Sequence, residues 1–157
     1  RELYVKGFTG ERLGDLIVQM EREDPPMQQT TLDSSCWNRT GLGPSIAETM
    51  IRRGARWTPA DRNRIAGKIE VHRRLACDDH GTPRLRFFST CNNTIRTLPT
   101  LPISKTNPED VDTKAEDHAY DALRYMVMSR VLMNVHSPHR MMKHTQQYEP
   151  QDQVFGY

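Results

Sequence analysis

Residues 113–127, which read TKAEDHAYDALRYMV, decide how the rest of the chain is interpreted. Apolar side chains recur at i, i+3, i+4, i+7 and i+8 in this stretch, the spacing of a helix with one face on a core. Thr113 and Glu116 have the spacing of a capping box, so the longest helix is predicted to begin here and to run to about Asn134. Its apolar face comprises Ala119, Ala122, Leu123, Met126 and Val127.

Two aspartates lie beside this apolar face. Asp117 and Asp121 are four residues apart, which on a helix places their Cβ atoms about 5 to 6 Å apart, within reach of one hard cation. In a second interpretation, Asp117 complements the helix dipole, and Asp121 pairs with Arg124 or faces solvent on the side of Arg130. Asp33 favours the metal, because it follows a β-prone stretch at 28–32 and open α/β sheets place reactive groups at strand ends. The three aspartates together predict a site for two Mg²⁺ or Mn²⁺ ions.

The other predicted elements alternate between strands and capped helices. Such alternation is typical of an α/β fold in which helices flank a mixed sheet. Strands are predicted at 3–5, 28–32, 55–57 and 84–88, and helices at 10–24, 45–53 and 58–76. Thr9 precedes the first of these helices, Ser45 and Glu48 have the spacing of a capping box at the second, and Thr58 is the predicted cap of the third.

Length and composition favour a single soluble domain. The chain has 157 residues, which suits one domain and is too short to add an ATPase motor. It contains no apolar run long enough to span a membrane and no signal-peptide pattern, so we expect no membrane contact and a cytoplasmic location. Three widely spaced cysteines argue against both a disulfide framework and a paired-cysteine zinc site.

Basic residues are concentrated in the middle of the chain. Between Arg52 and Arg96 they outnumber acidic residues by eleven to four, although the formal net charge of the whole chain is only +2. Contact with phosphate groups requires such a local excess. A solvated basic surface explains the same pattern, so both interpretations stay open.

Three blocks of sequence carry a family pattern: NRIAGK at 63–68, STCNNTIRTLP at 89–99, and PEDVDT at 108–113 running into EDHAYDALRY at 116–125. Their order and residues resemble the nuclease half of phage terminase large subunits, over about residues 1–130. The most specific part is the Asp-x-x-x-Asp-Ala-Leu-x-Tyr helix. The resemblance implies a ribonuclease H-like nuclease domain over residues 1–135, followed by a flexible or docking tail at 136–157.

The resemblance also implies an activity, partners and site residues. The activity is metal-dependent cutting of concatemeric double-stranded viral DNA in the cytoplasm of a bacterial host. The partners are the portal, the small terminase subunit and an ATPase domain upstream in the same chain. Asp33 matches the family's second strand-end acid, and Asp117, with Asp121 beside it, matches the acid of the last helix. His118 stands where relatives often have a second aspartate, which leaves open whether Asp117 or Asp121 is the primary ligand.

One expected acid has no counterpart. The family's leading aspartate lies on the first strand, whereas the first aspartate here, Asp15, falls on a predicted helix. Either the first strands of the ribonuclease H-like sheet are absent from this sequence, or this copy is degenerate.

These observations lead to one main hypothesis and two alternatives. The main hypothesis is a two-metal DNA endonuclease in which Asp33, Asp117 and Asp121 hold the ions. Its DNA backbone contacts are assigned to Arg62, Arg64 and Lys68, which also fit as solvent-facing helix residues. The first alternative is a catalytically inactive remnant that binds DNA or docks to the portal or procapsid. The second is a ribonuclease H-fold resolvase or integrase-like enzyme, which shares the metal chemistry.

Overall fold

A computed structural model describes residues 1–25 and 30–130, and within them the fold is mixed α/β. The predicted α/β class is therefore confirmed. The elements are, in order, α1 (Gly10–Glu21), β1 (Thr31–Leu32), a 3-10 helix (Ser34–Trp37), α2 (Ile46–Arg52), β2 (Thr58–Pro59), α3 (Arg64–Leu75), α4 (Asn92–Thr97), a second 3-10 helix (Leu98–Thr100) and α5 (His118–Ser129).

The sheet in the described residues has two short parallel strands. Thr31 of β1 lies opposite Thr58 of β2, and the Ala60 amide donates to the Leu32 carbonyl at 2.9 Å. Strands predicted at 3–5 and 84–88 are wrong, because neither segment forms strand-pairing backbone hydrogen bonds with another described residue. They instead border a cavity of about 820 Å³ beside α5. The strand predicted at 55–57 corresponds to β2, which lies slightly later in the chain. The strand predicted at 28–32 corresponds to β1, and the first two residues of that prediction lie outside the described residues.

The first two helices begin where their capping signals predict. Thr9 caps α1 by accepting a hydrogen bond from the Arg12 amide at 3.3 Å. At the start of α2, Ser45 Oγ accepts from the Glu48 amide at 3.1 Å, and Glu48 Oε2 accepts from the Ser45 amide at 2.7 Å. This reciprocal capping box confirms the predicted start of α2.

The start of α3 differs from the prediction. It begins at Arg64 and is capped by Asn63, whose side chain accepts from the Ala66 amide at 3.0 Å. Thr58, the predicted cap, instead donates through its backbone amide to the Thr30 carbonyl at 3.0 Å. Pairing with β1 therefore prevents the helix from beginning at Thr58.

The start of α5 also differs. It begins at His118, and residues 113–117 form turns. The predicted capping box at Thr113 is wrong because Glu116 pairs with Arg96 at 2.7 Å and accepts from the Tyr4 hydroxyl at 2.7 Å. The predicted end near Asn134 and the predicted tail at 136–157 lie outside the described residues.

The short helix α4 receives its N-terminal cap from the beginning of the chain. Its own N-cap residue, Cys91, makes no side-chain capping hydrogen bond. The Glu2 carboxylate instead accepts from the backbone amides of Asn93 at 2.9 Å and Thr94 at 2.7 Å. Burial raises the pKa of Glu2, but hydrogen bonds from the Thr94 hydroxyl, from these two amides and from the Asn93 side chain outweigh it and leave that pKa below the usual value.

The buried face of α5 is rotated from the predicted one. Exposed Ala122 and Met126 were predicted to be buried, whereas Tyr120 and Arg124 are buried in their place. The cause is α3, which packs against α5 through Gly67. The residues that form the buried core cluster are Val71, Val111, Tyr120, Leu123 and Val127.

The contact between α3 and α5 requires a residue without a side chain at position 67. A Cβ atom there would lie 2.7 Å from Arg124 Cδ and closer still to Cγ. Arg124 is only 1 % exposed and has no space to retreat into. Gly67 therefore sets how closely the two helices approach.

No helix in the described residues is long and apolar enough to cross a lipid bilayer.

We expect Gly67→Ala to lower the free energy of unfolding by about 1 to 3 kcal/mol, the usual cost of an extra methyl group in a filled interior. Urea unfolding followed by circular dichroism measures this loss. Gly41→Ala is the matched control, because a Cβ there has no atom within 4 Å. Equal unfolding midpoints for the two variants would contradict the proposed packing.

We expect Glu48→Gln to destabilise the protein at pH 7 by removing the ion pair with Arg39. The Arg39 hydrogen bond is the largest cause that lowers the pKa of Glu48, from 4.5 to about 2. The stabilisation that the Glu48–Arg39 pair gives the folded state is therefore complete above pH 4.5, and it disappears as the pH falls towards 2. The difference in urea midpoint between wild type and variant should shrink over this range. A difference in urea midpoint that stays constant with pH would be inconsistent with the Glu48–Arg39 ion pair. Glu109→Gln, which changes an exposed glutamate, serves as the control.

Candidate functional site

Three aspartates surround the side chain of Arg64, the first residue of α3. Arg64 Nε donates to Asp110 Oδ2 at 2.8 Å, and Nη1 to Asp121 Oδ1 at 3.3 Å. Arg64 Nη2 lies 3.9 Å from Asp117 Oδ2. We call Asp110, Asp117 and Asp121 the acidic cluster. It joins two predicted ligands with one carboxylate that the sequence did not single out.

Local structure fixes each member of the acidic cluster. Asp110 lies in the loop before α5, where its side chain accepts from the Val111 amide at 2.7 Å. Asp117 occupies the N-cap position of α5, and its carbonyl accepts from the Asp121 amide at 2.8 Å. Asp121 follows in the first turn. A loop, a cap and a helical turn therefore bring the three carboxylates together.

A second arginine, Arg124, supports the cluster from inside the protein. Its Nε and Nη2 atoms lie 3.2 and 3.1 Å from Asp121 Oδ1. Its guanidinium carbon lies 4.4 Å from the centre of the Tyr125 ring. Arg124 Nη1 is buried and has no hydrogen-bond partner among the described residues. The predicted alternative, in which Asp121 pairs with Arg124, is thus present.

Asp117 is the least compensated acid of the cluster. Its side chain is 10 % exposed, and no other described residue donates a hydrogen bond to its carboxylate. Burial and the negative charge of Asp121 raise the pKa of Asp117, more than Arg64 and His118 lower it. In Asp110, by contrast, hydrogen bonds from Arg64 and the Val111 amide outweigh burial and hold the pKa below its usual value.

Asp33 lies directly after β1 and is linked to α5 through Tyr125. Its Oδ1 accepts from the Ser35 amide at 2.7 Å, and its Oδ2 accepts from the Tyr125 hydroxyl at 2.8 Å. Burial raises the pKa of Asp33, but these hydrogen bonds outweigh it and lower the pKa overall. Burial and the same bond to Asp33 raise the pKa of Tyr125 to about 12. Asp33 is therefore held against α5 by Tyr125, the residue one helical turn after Asp121.

The predicted metal ligands do not form a complete metal site. Within residues 1–25 and 30–130, no three His, Cys, Asp or Glu side chains are grouped so that they hold an ion. The negative charge of Asp121 is close enough to raise the pKa of Asp117, whereas Asp33 contacts Tyr125. The two-metal site stays a prediction.

The three cations predicted to contact DNA have different surroundings. Arg64 points into the acidic cluster and is 26 % exposed. Arg62 is exposed, and its charge contributes to lowering the pKa of Asp33. Lys68 is half-buried on α3, one turn beyond Arg64. DNA contact by these residues stays a prediction.

Sequence reasoning missed Asp110 and Tyr125. Asp110 stands in the acidic loop at 108–113, whose run of carboxylates before a helix was the available signal. Tyr125 belongs to the family-like block at 116–125, but its partner Asp33 is 92 residues away. No local pattern predicts such a contact.

No family model, curated protein or solved structure matches this chain. The resemblance to terminase nucleases therefore depends on the sequence blocks described above.

We expect Tyr125→Phe to raise the pKa of Asp33 and to cost about 1 to 3 kcal/mol of stability, because a partly buried hydrogen bond to a charged group is lost. Carbon-detected NMR titration of the carboxyl groups and urea unfolding measure the two effects. Tyr120→Phe is the matched control, since the Tyr120 hydroxyl is buried and has no partner among the described residues. It should cost no stability. An unchanged Asp33 titration in Tyr125→Phe would show that the hydrogen bond is absent.

Proposed function

We propose that this chain is the Mg²⁺- or Mn²⁺-dependent endonuclease domain of a phage DNA-packaging terminase, with a ribonuclease H-like fold, and that it cuts concatemeric double-stranded DNA. The observation that carries the proposal is the pair Asp117 and Asp121, two adjacent carboxylates of which the nearly buried one receives no hydrogen bond from another described residue. The family-like blocks at 63–68, 89–99 and 108–125 supply the substrate class.

The chemistry of the side chains suits the proposed ions. Every candidate ligand is a carboxylate, and Mg²⁺ and Mn²⁺ prefer oxygen ligands. Asp33, Asp117 and Asp121 would hold the ions, with Asp110 beside them in the acidic cluster. Bound there, two such ions would supply the chemistry that activates a water and stabilises the leaving oxygen of a phosphodiester.

The surrounding residues have distinct proposed roles. Tyr125 orients Asp33 through its 2.8 Å hydrogen bond, and Arg124 fixes the orientation of Asp121. Arg62 and Lys68 offer positive charge to the DNA backbone, which steers and holds DNA without reading its sequence. The family resemblance adds as partners the portal, the small terminase subunit and an ATPase domain upstream, all in the bacterial cytoplasm.

A second candidate is a catalytically inactive module that binds DNA or docks to the portal or procapsid. The observation in its favour is that Arg64 and Arg124 already pair with the acidic cluster. Paired carboxylates of this kind also occur as purely structural networks. DNA binding without cleavage would distinguish this module from the nuclease.

The nuclease proposal is tested by incubating the chain with plasmid DNA and Mn²⁺, with EDTA as the metal-free control. We expect cutting that EDTA abolishes and that Asp117→Asn and Asp121→Asn each reduce by at least about 100-fold. This exceeds the roughly 10- to 100-fold loss typical of residues that only support metal ligands. The matched control is Asp15→Asn, which changes an exposed aspartate on α1 paired with Arg53 and should cut normally.

Each other result has a defined meaning. No Mn²⁺-dependent cutting by the wild-type chain, together with a DNA mobility shift, would favour the inactive module. Full cutting by Asp117→Asn would show that the site is assigned to the wrong residue.

A further inference from the structure

The positively charged guanidinium group of Arg64 lies among the three carboxylates of the acidic cluster, where a metal ion would bind. Its guanidinium group contacts Asp110 at 2.8 Å and Asp121 at 3.3 Å, and it lies 3.9 Å from Asp117. The carboxylate oxygens that face it are the same kind of atom that binds Mg²⁺. The Asp117 side chain is 10 % exposed and receives no hydrogen bond from another described residue, and its carboxylate lies 3.9 Å from both Arg64 Nη2 and His118 Nδ1. The three carboxylates are therefore arranged around a positive charge supplied by the protein.

The two arginines at the cluster differ in their freedom to move. Arg124 is 1 % exposed, its stem fills the space beside Gly67, and its guanidinium packs on the Tyr125 ring. Arg64 is 26 % exposed and stands at the first position of α3. A long arginine side chain at a helix end can swing into solvent without disturbing the core. Arg64 is therefore the more exposed of the two arginines, with one terminal nitrogen, Nη2, buried and without a hydrogen-bond partner among the described residues.

The charge balance fits replacement of Arg64 by a divalent ion. With both arginines in place, the three carboxylates retain one net negative charge. When the Arg64 guanidinium leaves, the three carboxylates and Arg124 together carry two net negative charges. One divalent cation neutralises them, whereas a monovalent cation restores only the original balance.

We propose that Arg64 is an internal counter-ion which competes with a divalent metal ion for the acidic cluster, so that the ion binds as Arg64 leaves. This inference rests on the proposed nuclease function. It explains why the described residues contain oxygen ligands of the right kind and yet no group ready to hold an ion. Arg64 is thus a positioning residue that holds the carboxylates together before the metal arrives.

Calorimetric titration with MnCl₂ at pH 7.5 tests the competition without measuring catalysis. We expect Arg64→Gln to bind Mn²⁺ at least about tenfold more tightly than the wild type, because the ion no longer displaces a bound charge. Arg64→Lys, which keeps the charge but not the planar guanidinium, should fall between them. The matched control is Arg53→Gln, which removes an exposed arginine and its ion pair with Asp15 on α1. It should bind like the wild type.

The possible results separate this inference from the proposed function. Tighter binding by Arg64→Gln alone supports the competition. Equal affinity in the wild type and Arg64→Gln, or an equal increase in Arg53→Gln, overturns the inference and leaves the metal site standing. If neither the wild type nor any folded variant binds Mn²⁺, both this inference and the proposed metal site are overturned.

A second measurement uses the wild-type chain and so does not depend on the folding of a variant. The Nε protons of Arg64 and Arg124 are hydrogen-bonded to Asp110 and Asp121, which slows their exchange with water. We expect Mg²⁺ to speed exchange at Arg64 and leave Arg124 protected in proton–nitrogen NMR spectra. Binding of Mg²⁺ with both protons still protected would overturn the inference.

Discussion

The contact between Arg124 and Asp121 is the interaction on which the rest of the structure depends. A charged group that is 1 % exposed is tolerated only when it is paired, because removing it from water costs several kcal/mol. Asp121 supplies the pairing, the Tyr125 ring covers the guanidinium plane, and Gly67 leaves space for the stem. Arg124 and Gly67 together determine the separation of α3 and α5, and burial of Arg124 determines the side of α5 that faces the interior.

The same arrangement explains the placement of the acidic cluster. Rotation of α5 towards α3 brings Asp117 and Asp121 opposite the first turn of α3, where Arg64 meets them. It also presents Tyr125 to Asp33 at the end of β1. Charged groups from three separate parts of the chain therefore meet at the acidic cluster, and Tyr125 links Asp33 to the same helix.

Local signals predicted those parts of the fold that depend on neighbouring residues. Thr9, Ser45 and Glu48 cap their helices as expected, because a capping hydrogen bond spans only about three residues. The predicted starts of α3 and α5 were wrong because Thr58 and Glu116 have partners 20 or more residues away. The sequence singled out Asp33, Asp117 and Asp121, but not the central position of Arg64, since several distant contacts together produce it.

The Glu2 cap on α4 has a consequence for the order in which the protein folds. A helix of six residues is too short to persist by itself, and this one relies on a carboxylate 91 positions earlier in the chain. Contacts between residues so far apart form slowly, since the intervening chain must first become compact. We therefore expect α4 to gain protection from hydrogen exchange late in refolding. Although α4 is a local element, its formation in this chain depends on prior assembly of distant segments.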